Sequence, residues 1–180
     1  MLQLTIPATE QWDEKNECFI STKEQTLQLE HSLVAVSKWE SKWKKSFFAN
    51  DQKNLEETID YIKCMTITQN VNPDVYRCIS KETIGVINAY ISDPMTATTF
   101  PKRGASKSSS ETMTSELIYY WMVAFNIPME CQKWHLNRLM TLIKICDVKN
   151  QKPKNQSMKE RMTSNAALNA ARRKQYHTKG

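Results

Sequence analysis

A chain of 180 residues is long enough to bury a sizeable core, and its length predicts one domain or one domain with an appendage. Its five cysteines are an odd number without a C-x-x-C pair, which argues against a disulfide framework and favours a reducing compartment. The net charge of +6 arises in the C-terminal tail, because residues 149–180 hold nine Lys/Arg against one acid.

The sequence pattern indicates neither secretion nor insertion into a membrane. The N-terminus lacks a basic segment followed by an apolar one, so we predict no signal peptide. No apolar run approaches the length of a membrane span, so we predict no membrane association.

Residues 1–30 predict a small antiparallel β-meander. Apolar and polar residues alternate over 2–6, a short apolar run follows at 18–20, and alternation returns at 26–30. Three short strands are marginally stable alone, so we expect this sheet to pack on helices.

Residues 32–91 predict a series of helices. Small polar residues that cap helices, or a proline suited to a first turn, precede each apolar periodicity. The predicted starts are Ser32, either Asp51 or Asn54, Pro73 and Ser80. We expect the first of these helices to run to about Phe48.

Two groups of side chains in these helices have alternative interpretations. Trp39 and Trp43 are one helical turn apart and are predicted to be core. Aromatic residues beside lysines also suit stacking on single-stranded bases, but such platforms use a groove of several such groups. Glu56, Glu57 and Asp60 are predicted to be solvated, although paired carboxylates could perform acid–base chemistry if burial separated their pKa values.

The segment 92–113 predicts a mobile linker, and 114–147 predicts a central helical hairpin. The linker is rich in Ser, Thr and Pro and cannot form a packed element. Thr114 suits an N-cap, Asn126 suits a left-handed helix end, and Pro128 suits the first position of a second helix. A three-residue connection makes the two helices antiparallel neighbours.

The first helix of this hairpin is apolar on two sides. Such a helix is buried on more than one face or covers a partner. The simpler alternative is an ordinary hairpin core, since apolar stripes are usually buried. If a partner binds here, the candidate contacts are Tyr119, Tyr120, Trp121, Met122 and Trp134.

Residues 149–180 predict a basic, partly helical C-terminal arm. Ser157 is a candidate cap for a helix to about Lys174, whose apolar stripe is too weak for a core. Arg172, Arg173 and Lys174 are its densest basic group. They keep the chain soluble or bind a partner of opposite charge.

No catalytic or metal-binding motif is present in the sequence. Phosphate-binding loops need closely spaced glycines, and the chain has only three, all far apart. Cys131 and His135 are four residues apart and could share a metal, but structural zinc requires four ligands in tight spacing. We therefore predict no enzyme, no cofactor and no metal.

The predicted fold class is α+β, mainly α. A small N-terminal antiparallel β-meander precedes a helical bundle with a central helical hairpin. One α-rich domain is predicted at 1–148, followed by the arm at 149–180.

The chain resembles a family of small proteins encoded in the tail-gene region of long-tailed bacteriophages and described as tail assembly chaperones. The resemblance covers most of the chain. It rests on LEHSLVAVSKWESKW (29–43), IDYIKCMTITQNVNPDVY (59–76), INAYISDPMTATTF (87–100), ELIYYWMVAFNIPMECQKWHLNRLMTLIKIC (116–146) and SNAALNAARRK (164–174).

The resemblance implies a binding protein of the host cytoplasm. Tail assembly chaperones bind the tape measure protein, a long helical rod that aggregates when naked, while tail tube subunits polymerise around it. They are not enzymes and need no cofactor. No residue motif that defines client binding is carried over to this chain.

Two other functions fit the same patterns. A structural virion protein of the tail or head–tail connector would use the sheet, the helices and a flexible arm for self-association. A nucleic-acid-binding regulator would use the basic arm and would bind with steep salt dependence. Nucleic acid is not the expected partner, because solubility alone accounts for the basic residues.

Overall fold

The computed structural model describes residues 1–13, 17–49, 53–100, 112–150 and 158–177. By its internal contacts the chain divides into two compact units, Met1–Cys146 and Asp147–Gly180. The predicted class is confirmed, since the fold is mainly α with a small antiparallel β part at the N-terminus.

Four strands precede the helices along the chain. The strands are β1 (Leu2–Ile6), β2 (Thr9–Asp13), β3 (Cys18–Thr22) and β4 (Gln25–Leu29). The α-helices are α1 (Leu33–Trp43), α2 (Leu55–Met65), α3 (Lys81–Ser92), α4 (Ser115–Ala124), α5 (Leu136–Asn150) and α6 (Met158–Tyr176). Two 3-10 helices span Pro73–Cys78 and Met129–Lys133.

The predicted three-stranded meander is wrong. The first strand pairs with the fourth, with Leu4 opposite Leu27, whereas β2 and β3 form a separate two-stranded sheet. Sequence patterns missed β2 because its single apolar residue, Trp12, is exposed, and its other residues are polar. Backbone pairing with β3 is what makes it a strand.

The predicted helix caps are confirmed. Ser32, Ser80 and Thr114 each accept a hydrogen bond from a backbone N–H of the first helical turn. Asn54, the second of the two proposed starts, forms a full capping box with Glu57, in which each side chain binds the other residue's backbone N–H. Asp51 lies outside the described residues.

Replacing Asn54 with alanine is expected to lower the free energy of unfolding by about 1 kcal/mol, because one end of the capping box is lost. Urea denaturation measures this change. Asn54→Ser retains an acceptor at the cap and should remain close to the original protein. Equal midpoints for the alanine variant and the original protein would contradict the prediction.

Helix α1 ends at Trp43 and not at about Phe48. Lys44 has a left-handed backbone (φ 55°), which turns the chain away from the helix axis. Phe47 then packs against the ring of Tyr61, with ring centroids 4.3 Å apart, and its backbone N–H binds the Glu40 carboxylate. These tertiary contacts end the helix earlier than its local pattern indicates.

Two of the carboxylates predicted to be solvated are buried. Lys42 Nζ of α1 lies 2.6 Å from Asp60 Oδ1, and Lys45 Nζ, just after α1, lies 2.8 Å from Glu57 Oε1. Two ion pairs therefore connect α2 with the end of α1 and the segment that follows it. The hydrogen bond from Lys45 lowers the pKa of Glu57. Burial raises the pKa of Asp60, but its hydrogen bonds with Lys42 and with the Trp43 ring outweigh that effect and lower it.

Helices α4 and α5 are not joined by the predicted three-residue turn. Asn126 ends the first helix in a left-handed conformation (φ 53°), as predicted, but Pro128 precedes a 3-10 helix and not the second α-helix. Helix α5 begins only at Leu136, because His135 is held in a β-bridge to Ser32. Helix α4 packs chiefly on α1.

The predicted linker is described only at its ends. Helix α3 ends at Ser92, and residues 93–100 contain neither helix nor strand. Near the end of this stretch, Lys144 Nζ lies 4.2 Å from the centre of the Phe100 ring. Residues 101–111 lie outside the described residues, so the prediction of a mobile linker stays a prediction.

Candidate interaction surface

Helix α4 is anchored to the core by its inner face and by its first turn. Ile118 and Met122, one turn apart, are completely buried. At the N-terminus, the backbone N–H of Ser115 donates to Glu40 Oε2 at 2.8 Å, and Thr114 caps the helix. The position of α4 on α1 is therefore fixed by apolar contacts and by a buried carboxylate.

The outer face of α4 is apolar and has no cover in the described part of the chain. The side chains of Tyr120 and Val123 are 65% and 67% exposed, and they lie three residues apart on one side of the helix. Trp121 and Phe125 are partly buried and pack against the core. We define the outer face of α4 as Tyr120 and Val123, the exposed apolar residues on the side opposite Ile118 and Met122.

The five predicted contact residues have different environments. Tyr120 is exposed, whereas Tyr119, Trp121 and Trp134 are partly buried. The prediction that Met122 contacts a partner is wrong. Its side chain is fully buried in the core and could reach a partner only if the site unfolded. A two-sided apolar pattern could not show which side faces the core.

The structure links two of these positions indirectly. Tyr119 donates its hydroxyl proton to Gln132 Oε1 at 2.9 Å, which joins α4 to the second 3-10 helix two residues before Trp134. Trp134 itself lies under the guanidinium of Arg138, 4.3 Å from the ring centre. These contacts give both aromatic side chains structural roles in addition to any contact with a partner.

A second surface lies between α2 and α3 and was not predicted. A cavity of about 570 Å³ opens there, and its apolar lining includes Phe47, Leu55, Tyr61, Ile62, Ile84 and Ile91. We call it the α2–α3 groove. The helical spacing of Leu55, Ile62, Ile84 and Ile91 is consistent with a core, and only the separation of the two helices leaves some of these side chains uncovered.

A buried histidine pair lies at the centre of the larger unit. The rings of His31 and His135 are 5.1 Å apart, and His31 Nδ1 is hydrogen-bonded to the Tyr61 hydroxyl. Burial, and secondarily the neighbouring His135, lower the pKa of His31 to about 4. Burial holds the pKa of Tyr61 well above its ordinary value, so it remains a donor. His31 is therefore neutral at physiological pH.

The partner of His135 defines its tautomer. Its Nε2 lies 3.1 Å from the carbonyl oxygen of Tyr90, and a carbonyl oxygen only accepts, so Nε2 carries the proton. Its Nδ1 is buried without a partner in the described part of the chain. Burial lowers the pKa of His135, although the bond to Tyr90 acts in the opposite direction. Both rings are therefore packed in the core with lowered pKa values.

The described residues contain neither a cluster of metal ligands nor a helix that could span a membrane. No three His, Cys, Asp or Glu side chains there are grouped to hold a metal ion. Cys131 lies in a 3-10 helix that ends before His135, so the two residues do not share a helix. The ring of His135 instead faces that of His31. None of the described helices combines the length and the apolar character that a membrane span requires.

The smaller unit presents its basic residues on a helix. Arg172, Arg173 and Lys174 lie in exposed positions near the end of α6. Met158 and Met162 at its beginning are also exposed. The predicted cap, Ser157, lies outside the described residues.

The larger unit thus offers two candidate binding surfaces, the outer face of α4 and the α2–α3 groove. No protein-family model, curated protein or solved structure matches this chain. Its function is therefore inferred from the chemistry of its own surfaces and from its sequence.

Proposed function

We propose that this protein is a phage tail assembly chaperone that binds helices of the tape measure protein and keeps that protein soluble during tail assembly. The observation that supports this most directly is the outer face of α4. Tyr120 and Val123 project from a helix whose opposite face is fully buried, so the helix is rigidly held while its outer side remains uncovered.

An anchored helix with an exposed apolar side suits the binding of another amphipathic helix. Neighbouring exposed apolar side chains on a soluble protein mark interaction sites. Tyrosine supplies a large contact area at low cost in conformational entropy, and its hydroxyl tolerates water before the partner arrives. A client helix would bury its own apolar stripe against this face.

This mechanism requires no chemical step. A long helical client exposes an apolar stripe along its length, and each covered stretch is removed from self-association. We place this activity in the host cytoplasm, where tails assemble, and assign no cofactor to it. The basic residues of α6 would keep the complex soluble.

The double variant Tyr120→Asp/Val123→Asp tests the proposed surface. Placing two carboxylates on it is expected to reduce co-purification with the co-expressed tape measure protein at least about tenfold. Thermal unfolding should be nearly unchanged, because both side chains are exposed. Quantified pull-down and circular dichroism measure the two effects.

A matched control is Ile67→Asp, which changes an exposed apolar side chain after α2 and should leave binding intact. Undiminished capture of the tape measure protein by the double variant would overturn the assignment of this surface. Recovery of the protein in purified virions would instead favour a structural component of the tail or connector.

A further inference from the structure

The α2–α3 groove is lined over about two helical turns by each of its two helices. Ile84, Asn88 and Ile91 face it from α3, and their spacing covers about two helical turns. Leu55, Thr58 and Ile62 face it from α2 over the same length. Two turns correspond to a length of roughly 10 Å.

The groove keeps apolar side chains in contact with solvent. Leu55 is 68% exposed although it opens a helix whose later apolar residues, such as Ile62, are buried. Ile84 and Ile91 are partly buried on the opposite side. An occupant with its own apolar stripe would remove these side chains from water.

Lys53 gives the groove a positive charge. Its ammonium group lies 4.2 Å from the centre of the Phe47 ring and 5.5 Å from that of Trp39, and it donates to the Phe47 carbonyl oxygen at 2.8 Å. An ammonium group has three donors, so this contact leaves donors for a ligand. Burial lowers the pKa of Lys53, and the nearby Glu57 carboxylate acts in the opposite direction.

The nearest carboxylate is engaged elsewhere. Glu57 Oε1 is paired with Lys45 at 2.8 Å, and Glu57 Oε2 accepts the backbone N–H of Asn54 at 2.9 Å. Among the described residues, no acid lies within salt-bridge distance of Lys53. A partly buried cation on an apolar groove is therefore best complemented by a carboxylate from outside.

We propose that the α2–α3 groove binds two turns of an amphipathic helix from a partner protein, with the helix's apolar stripe in the groove and a carboxylate beside that stripe paired to Lys53. The site is separate from the outer face of α4, and the proposal does not depend on which protein supplies the helix. Two flanking helices favour a third helix as occupant, because side-chain ridges of one helix fit grooves between others.

Synthetic peptides test the charge preference. Two labelled helical peptides of about 18 residues, long enough to be helical alone, would carry leucines at i, i+4 and i+7. They would differ in one residue beside that stripe, glutamate in one and lysine in the other. Fluorescence anisotropy is expected to show about tenfold tighter binding of the glutamate peptide to the full chain.

Variants of groove residues distinguish the contribution of the Lys53 charge to peptide binding from that of the apolar lining. Lys53→Glu should reverse the preference between the two peptides, and Lys53→Gln should abolish it without reversing it. Ile84→Asp should weaken both peptides at least about tenfold. Val86→Asp, on an exposed position of the same helix that does not line the groove, should bind as the original protein does.

Three results would overturn the proposal. An unchanged preference in both Lys53 variants would exclude the ion pair. Undiminished peptide binding by Ile84→Asp would place the peptide elsewhere. Binding of decanoate in a Lys53-dependent manner, with no binding of either peptide, would identify a site for an apolar acid and not for a helix.

Discussion

Replacing Glu40 with alanine is expected to lower the free energy of unfolding by about 3 kcal/mol. The side chain is almost completely buried, and each carboxylate oxygen accepts one backbone N–H. Oε1 binds Phe47 at 2.7 Å and Oε2 binds Ser115 at 2.8 Å. Alanine would leave both donors unsatisfied, which costs about 1 to 3 kcal/mol for each buried group.

The isosteric variant Glu40→Gln provides the graded control. The glutamine amide retains one acceptor oxygen but turns an NH₂ group toward the other backbone donor. Glu40→Gln should therefore lower the free energy of unfolding by roughly half as much as Glu40→Ala does. Chemical denaturation measures both variants, and hydrogen exchange at the Ser115 amide reports the local effect. If alanine left both the midpoint and the Ser115 exchange unchanged, Glu40 would not anchor α4.

This anchor also connects stability with the proposed function. Glu40 joins the end of α1 to the start of α4, the helix that carries the exposed Tyr120 and Val123. A chaperone surface must be held in place while it covers a client, because ordering it on binding would cost conformational entropy. Loss of Glu40 would therefore weaken client binding without removing any contact residue.

Acidification from about pH 7 to about pH 5 is expected to lower the free energy of unfolding by about 2 kcal/mol, chiefly through His31. The folded-state pKa of His31 is about 4, and the unfolded value is the ordinary 6.5. The folded chain therefore binds fewer protons than the unfolded chain. Stability is fully present above the unfolded pKa and is lost as the pH falls toward the folded pKa.

The groups facing His31 define the control for this measurement. They are Tyr61 from α2 and His135, while Tyr90 of α3 contacts His135 and binds Glu30. The double variant His31→Phe/Tyr61→Phe removes both members of one hydrogen bond, so its stability should depend less on pH.

Glu57 and Asp60 contribute to the pH dependence of stability only at lower pH, because their pKa values are lowered. Equal stability of the original protein at both pH values would contradict the prediction.

The sequence by itself determined the class of the fold and most helix starts. Ser32, Asn54, Ser80 and Thr114 each cap a helix as predicted, because capping depends on residues within one turn of each other. Asn126 ends α4 for the same local reason. The prediction of a partner-binding helix at α4 also came from local apolar patterning, and it stays a proposal.

Only the tertiary structure decided which side of each helix is covered. Tyr120 and Met122 are equally plausible contacts in the sequence, but the core encloses Met122 and leaves Tyr120 exposed. Pairing of β2 with β3 and burial of Glu57 beside Lys45 likewise join residues from separate segments. The same holds for Lys53, whose position above Phe47 creates the charged groove. Burial and ion pairing depend on contacts between residues that are distant in the sequence. Local periodicity carries no information about such contacts.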